Sequence, residues 1–444
     1  MKNIDRKSFL KKSAAVGLGG SMVMGFPTVL FGKPNETINF AVVGVRSRGK
    51  AHAEAVSRLE NAKVTWFCDV DDVIIDEHKK WSQEMTGYVP KVEKDFRKLL
   101  EKDDIDVITI ATPEHWHAPM AIMAMQAGKH VFIEKPCSHN LYENELLVEV
   151  QKKTGMLCQM GNQQRSSVTS NLAISEIRQG IIGDVYYGKA WYSNQRGSIG
   201  KGKIVDVPKS LDWELWQGPA PRENYRDNVH PYNWHWFKTW GTGEIHNNGT
   251  HEIDICRWAL GVDLPNKATS AGGRYHFKDD DWEYYDTQNA SFEFEGGKKI
   301  TWEGKSCNGF PIMGRGRGSL IHGTKGSILL DRNGYLLYDL GGKLIKEEVE
   351  PKGGGAASTS DTRGFDALTV NHFINFTNAI REGEALKAPI ADASISTQLC
   401  HYGNIAQEVG GSIEVDPNTG KIINNPEAMK HWKREYAKGW EPKA

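Results

Sequence analysis

The sequence predicts an α/β protein in two parts: a doubly wound parallel sheet over residues 36–160, then an α+β part over residues 161–444 with a large, open, mainly antiparallel sheet. Three observations carry this. From Ile38 to about residue 160, short apolar runs alternate with helix-period segments, the pattern of strands buried on both faces with helices between them. Beyond that point, β-branched and aromatic residues alternate with polar ones between Gly or Asn-Gly turns, which reads as antiparallel hairpins. The length, 444 residues, suits two or three separately cored domains.

In chain order, "MKNIDRKSFLKKSAAVGLGGSMVMGFPTVLFG" joins a basic start to an apolar, Gly/Ala-rich run too short to span a bilayer comfortably. Residues 1–33 are set aside from the fold as an export signal. The segment resembles a twin-arginine signal, with Arg6-Lys7 where that pattern has two arginines. The expected location is the periplasm, by this route or by Sec export, and the cytoplasm if the signal is not used. Next come the strands "INFAVVG", "KVTWFCDV", "IDVITIAT" and "KHVFIEKP", alternating with the helices "KAHAEAVSRL", "VIIDEHKKWSQEM", "HAPMAIMAMQAG" and "YENELLVEVQKKTG". A helix in "NLAISEIRQGIIG" leads to the strand "VYYGKAWYSNQ" and to hairpins in "YDTQNASFEFEGGKKITWEG" and "GSLIHGTKGSILLDRNGYLLYDLGGKLIKEEVE". The stretch 351–365 is linker-like, and two helices close the chain in "ALTVNHFINFTNAIREG" and "SISTQLCHYGNIAQEVG".

Bulk chemistry narrows the partners. A formal net charge of -1 leaves no global basic field for a nucleic acid backbone. No integral membrane span is expected. The six cysteines are scattered without a CxxC pair, so neither a disulfide framework nor a zinc ribbon is expected. Of the 14 tryptophans, many crowd between residues 191 and 258, either as walls of a sugar cleft or as filling between sheet and helices.

"FAVVGVRSRG" sets Gly44 and Gly49 in the first and last positions of a GxGxxG turn directly after a strand, with Arg46 in the middle glycine's place. Arg46 or Arg48 is expected to reach the pyrophosphate by its side chain. Asp69, 25 residues after Gly44 at the end of the second strand, suits ribose hydroxyls and repels a 2′-phosphate. This reads as an NAD-binding Rossmann domain, with NAD favoured over NADP.

"ATPEHWHAPMAIMAMQAGKHVFIEKP" resembles the Gfo/Idh/MocA oxidoreductases, the glucose–fructose oxidoreductase and inositol dehydrogenase family. The likeness extends over about residues 36–410 and, in "HWHA" and "GNQQRSS", to an exported bacterial subgroup. It implies that Thr112, Pro113 and His117 lie at the nicotinamide and that a cis peptide precedes Pro136. It also implies that Lys135, with Glu134 beside it, faces the substrate. The family's second motif, Asp-x-Gly-x-His-x-x-Asp at a helix start, is matched by Gly249, His251 and Asp254, with Asn247 in place of the first Asp. His251 is expected to handle the substrate proton. Asn247 is expected to bind a hydroxyl, His246 stands as a possible extra participant, and Asp254 either orients the His251 ring or lies on the helix surface. A catalytic metal is not expected, since no compact HxxxH pair occurs here.

Further substrate contacts are expected from Gln164 and Arg165 after a strand end, from Tyr192 beside Trp191, and from an aromatic lid carrying Trp234, Trp236 and Lys238. The whole reads as an NAD-dependent oxidoreductase moving a hydride to or from a secondary alcohol of a sugar, polyol or glycoside. The alternative is a redox-neutral glycoside hydrolase or lyase that keeps NAD bound and passes through a transient keto-sugar. A non-catalytic sugar sensor would need neither Lys135 nor His251. The family resemblance implies a homo-dimer or homo-tetramer.

Overall fold

The computed structural model of the chain describes residues 36–351 and 366–444. The export signal read at residues 1–33, and the linker-like stretch after Pro351, lie outside the described residues. Among the described residues no helix is long and apolar enough to cross a membrane.

The first sheet comprises β1 (Ile38–Val43), β2 (Ala62–Cys68), β3 (Lys91–Glu93), β4 (Val107–Ile110), β5 (His130–Ile133) and β6 (Cys158–Met160). All its pairs are parallel and the order is β3-β2-β1-β4-β5-β6. The winding reverses between β1 and β4, which opens a crevice at the carboxyl ends of those strands. Helices Arg48–Ser57, Asp72–Thr86, His117–Gln126 and Leu141–Thr154 begin within two residues of where the periodicity puts them. Local chemistry sets two of these helices at both ends. Asp71 and Asn140 accept N-terminal amides, and Gly87 and Gly155 close the C-termini in the left-handed region. β3 escapes the sequence reading because three residues of "KVE" carry no strand pattern of their own; only pairing with β2 makes them a strand.

The second sheet holds ten strands. They are β7 (Val185–Ser193), β8 (Lys267–Gly273), β9 (Thr287–Glu293), β10 (Lys299–Lys305), β11 (Arg317–Gly323), β12 (Gly326–Asp331), β13 (Gly334–Asp339), β14 (Leu344–Val349), β15 (Ser412–Val415) and β16 (Ile422–Ile423). The order is β14-β13-β12-β11-β7-β10-β9-β8-β15-β16, antiparallel throughout except for the central β7–β10 pair. One face buries Ala290, Phe292, Ile300, Trp302, Ile321 and Ile328 against helices Val168–Arg178, Thr250–Leu260 and Ile390–Glu408. The other face carries cross-strand polar pairs such as Lys189–Glu303 and Tyr187–Thr301.

Helix Ala367–Glu382, read from sequence with the second part, returns to the first sheet. There Phe373 stacks on Phe132 of β5 with ring centroids 4.1 Å apart, beside Phe40 and Phe376. Its amphipathic pattern requires an apolar face to cover but does not name which one.

Candidate active site

A cleft runs over the carboxyl ends of β1, β2, β4 and β5. At one end the chain leaves β1 through Gly44 at φ +78°, where a Cβ would come within 2.8 Å of the Ala111 carbonyl; a Cβ on Gly49 would lie 2.0 Å from Gly44 O. The turn passes this close to β4 only with glycine at both positions. Asp69 follows β2 into the same cleft and accepts hydrogen bonds from the amides of Val45 (2.9 Å) and Asp71 (3.2 Å). Burial pushes its carboxyl up to about 6 against those bonds. Val70, Ile74 and Phe96 add an apolar wall. A carboxylate for a ribose diol, a glycine turn for a pyrophosphate and an apolar wall for an adenine fit a dinucleotide.

The two arginines of that turn differ. Arg46 lines the cleft, is exposed, and has no side-chain partner among the described residues. Arg48 is committed to the protein: it donates to Glu134 (2.7 Å), Asp366 (3.3 Å) and the Thr369 hydroxyl (2.8 Å). Of the two phosphate contacts expected from sequence, Arg46 is free to make one and Arg48 is not.

The other end of the cleft is set by Lys135, which follows β5 and is joined to Pro136 by a cis peptide. Its Nζ donates to Asn247 O at 2.6 Å and lies 3.4 Å from Asn247 Oδ1. Burial lowers the Lys135 ammonium, opposed by Glu134 and Glu114. Asn247 sits in a π-turn, Ile245–Gly249, which enters helix Thr250–Leu260; single π-turns of this kind are frequent at functional sites. Glu114 stands in the same wall and accepts from the Thr242 hydroxyl. Burial pushes it up to about 7, against the Thr242 bond and Lys135. Facing these, Arg196 donates to buried Glu244 (2.8 Å) and to the Tyr232 hydroxyl (3.1 Å), and Glu244 also receives Ser306 (3.0 Å) and Asn248. Trp234 stacks on His235 at 3.6 Å, and both line the cleft with Tyr232 and Trp216.

Thr112, Pro113 and His117 also line it. His117 opens helix His117–Gln126, with its ring nitrogens 2.6 Å from Pro136 O and 2.8 Å from Thr112 O; burial lowers the ring's proton affinity, against both of those bonds. Glu134, expected beside Lys135, accepts from the Arg48 and His52 (3.0 Å) side chains and from the Lys135 amide (3.3 Å). Burial alone would raise it, but the Arg48 charge and the His52 bond hold it well below the usual carboxylate range.

Several expected contacts are placed elsewhere, because packing gives those side chains protein partners. Arg165 and Asp254 bind each other in a buried bidentate pair (2.7 and 2.8 Å), with Ser396 on the same carboxylate. Gln164 donates to Asp331 O. Trp236 is buried, stacked on Trp282 at 4.0 Å, and Lys238 pairs with Glu408. Tyr192 is buried beneath Arg317, its hydroxyl accepting from Asn194. His246 is buried, with its ring centroid 4.3 Å from that of His401 and the rings tilted by 51°. His251 is buried, off the cleft wall, with neither ring nitrogen partnered among the described residues. His115 is buried too, against Trp216. Among the described residues no three His, Cys, Asp or Glu side chains are placed to hold a metal ion.

Glu114, Arg196, Glu244 and Asn248 were not singled out from sequence. Glu114 had a local signal, a carboxylate directly after Thr112-Pro113 at a strand end. The others depend on which loops meet.

Residues 38–162 match the family model described as "Oxidoreductase family, NAD-binding Rossmann fold", and residues 216–329 match the "GFO/IDH/MocA C-terminal domain". The chain belongs to the Gfo/Idh/MocA oxidoreductase family. As a member it is an NAD-binding oxidoreductase. It is 26% identical over 452 residues to glycosyl hydrolase family 109 protein 2 of Shewanella sp. (strain ANA-3), covering 89% of this chain and 91% of that protein. With the alpha-N-acetylgalactosaminidase of Shewanella oneidensis it shares 29% identity over 220 residues, 44% of this chain and 47% of the relative. Solved structures share the fold. Levoglucosan dehydrogenase with NADH and levoglucosan has TM-score 0.65 at 20% identity, covering 85% of this chain and 99% of that one. Aldose-aldose oxidoreductase from Caulobacter crescentus has TM-score 0.65 at 15% identity, covering 86% and 100%.

Proposed function

We propose that this member of the family transfers a hydride between NAD and a secondary alcohol carbon of a sugar, polyol or glycoside. The observation that carries the reading is Lys135 Nζ, half-buried and held on Asn247 at the far end of the dinucleotide cleft, which Glu114 and the aromatic wall of Trp234 and His235 also line. Bound in this cleft, NAD supplies a nicotinamide that accepts or returns the hydride. The chain's own groups manage the hydroxyl. Lys135 spends two N–H directions on Asn247 and keeps a third for the substrate oxygen. As the carbinol becomes a carbonyl, its proton passes to the Glu114 carboxylate, whose raised affinity suits proton exchange near neutral pH, while the Lys135 ammonium holds the oxygen. The proton role read for His251 from sequence finds stronger support at Glu114, which lines the cleft.

The test is NADH absorbance with purified protein, NAD and a panel of sugars, polyols and glycosides, with Lys135→Ala as control. A panel without signal, or Lys135→Ala matching wild type, overturns the reading. A second reading, redox-neutral glycoside cleavage with retained NAD, is favoured by the relatives named glycosyl hydrolase family 109, one of which matches along 89% of this chain. Aglycone release without net NADH selects it. The proposal extends to export by residues 1–33 and periplasmic action. It also extends to a homo-oligomer, supported by the apolar residues Leu344, Ile345 and Val349 exposed on the edge strand β14.

A further inference from the structure

Behind Lys135 lies a group of buried polar atoms that the reaction above does not use. Arg332 follows β12 and is only 7% exposed, yet no hydrogen bond or ion pair engages its guanidinium among the described residues, and its Nε is sealed from solvent. Three elements close around it. Asp331 O, one residue before, accepts Gln164 Nε2, which sets the Arg332 turn against the turn that holds Asn162 and Gln163. The β11–β12 register (Ser319 opposite Leu330, Leu320 opposite Leu329) brings the turn after β12 to the Arg317 end of β11, and the Arg317 charge acts on Arg332 there. Arg317 binds Glu252 at 2.7 Å, next to His251 at the start of helix Thr250–Leu260.

This group lacks partners as a group. Both side-chain polar atoms of Asn162, Gln163 Oε1, both ring nitrogens of His251, Glu252 Oε2 and Arg332 Nε are buried without a hydrogen bond. Folded proteins pair buried polar atoms almost without exception, and an unpaired buried charge costs more than a neutral group. Glu252 is hydrogen-bonded to Arg317, which leaves Arg332 a buried cation with no hydrogen-bonded partner among the described residues, offset only at longer range by Glu252 and Asp366. Burial, then Arg317, push Arg332 down to about 9, and Arg332 is the leading charge felt by His251, ahead of Lys135.

We infer that the substrate carries a carboxylate, a sugar acid, and that this group docks on the Arg332 guanidinium among Asn162, Gln163 and His251 while the reacting hydroxyl sits at Lys135. This rests on the hydride-transfer reading for its chemistry, not for its binding. A carboxylate supplies the hydrogen-bonded anionic partner that Arg332 lacks, and acceptor sites for the other unpaired donors, Asn162 Nδ2 and a ring N–H of His251.

The test compares each hexuronate with its neutral hexose (glucuronate with glucose, galacturonate with galactose, mannuronate with mannose) in wild type, Arg332→Gln and Arg332→Lys. The readouts are NADH formation and, separately, thermal shift of the NAD-loaded protein. At least one uronate is expected to beat its hexose, and Arg332→Gln is expected to lower that uronate-to-hexose ratio of kcat/KM about 10- to 100-fold, since a charge-assisted bond is lost. Arg332→Lys is expected to keep part of the ratio. Without ligand, Arg332→Gln is expected to raise Tm, because a desolvated guanidinium without a hydrogen bond, repelled by Arg317, leaves the interior. Hexoses turned over as well as uronates, or a uronate preference untouched by Arg332→Gln, would overturn the sugar-acid inference and leave the hydride-transfer reading standing. No turnover of any sugar, but uronate protection of wild type lost in Arg332→Gln, would support the subsite and count against the hydride-transfer reading. Absence of both turnover and uronate protection, or a lower Tm for ligand-free Arg332→Gln, would also overturn the sugar-acid inference.

Discussion

The Arg165–Asp254 pair gives the most decisive prediction, because sequence reasoning and structure assign it different work. From sequence, Arg165 is a substrate contact and Asp254 either orients the His251 ring or lies on the helix surface; in the fold each is the other's partner, with side chains 7% and 2% exposed. Asp254 also accepts from Ser396, and Arg165 stacks on Trp258 at 4.8 Å. Burial alone would raise Asp254, but the Arg165 guanidinium holds it below its usual range. Asp254→Ala strands a buried guanidinium, a loss of about 3–5 kcal/mol, near the lower end because Asp392 stays 3.3 Å from Arg165. Unfolding entropy of about 2.1 cal/mol/K per residue comes to about 0.9 kcal/mol/K over the unit Phe31–Ala444, so Tm should fall by about 3–6 °C. The double variant Arg165→Met/Asp254→Leu removes both charges and should recover most of that loss. Calorimetry gives the Tm values, and KM for the best substrate is measured on each variant at a temperature where all are folded. If Asp254→Ala keeps its Tm and raises KM instead, the pair belongs to the substrate and the reasoning fails.

Three further outcomes follow from the site. Asp69→Ala should weaken NADH binding about 10- to 100-fold by fluorescence titration and narrow the gap to NADPH, since a charged acceptor for the ribose is lost. Glu114, raised to about 7, acts as a base only when ionised. The kcat/KM for oxidation should therefore rise through about pH 7 and level above it, and Glu114→Gln should abolish that limb and lower kcat by roughly 100-fold or more. Burial pushes His115 and His401 down to about 3 and His372 to about 4, below their unfolded value. The unfolded state then takes up protons first, so stability is full above about pH 6.5 and is lost as pH falls. The loss is on the order of 3 kcal/mol for His372 by pH 4, to be read as a falling urea midpoint.

Local patterns made the first sheet legible. Strands and helices there follow from runs of apolar residues and from caps a few positions away, and the Gly44 turn with Asp69 is written within 25 residues. β3 and the short terminal strands β15 and β16 were not legible, since a strand of two to four residues exists through its neighbour. In the site, Thr112, Pro113, His117, Lys135 and Asn247 were named from sequence and line the cleft. Arg165, Gln164, Lys238 and Trp236 were named and lie in other contacts, because a polar or aromatic residue after a strand end does not disclose what packs upon it.

The sequence by itself determined the cofactor turn, the strand–helix alternation and the family, because these depend on residue spacing along one segment. Tertiary structure alone decided which charges are spent and which are spare. Arg48 meets Glu134 across 86 residues and Asp366 across 318, Glu114 meets Thr242 across 128, and Arg332 makes no hydrogen bond or ion pair among the described residues. Whether a buried charge is structural or waits for a ligand depends on its partner, and the partner is chosen by the packing of distant segments.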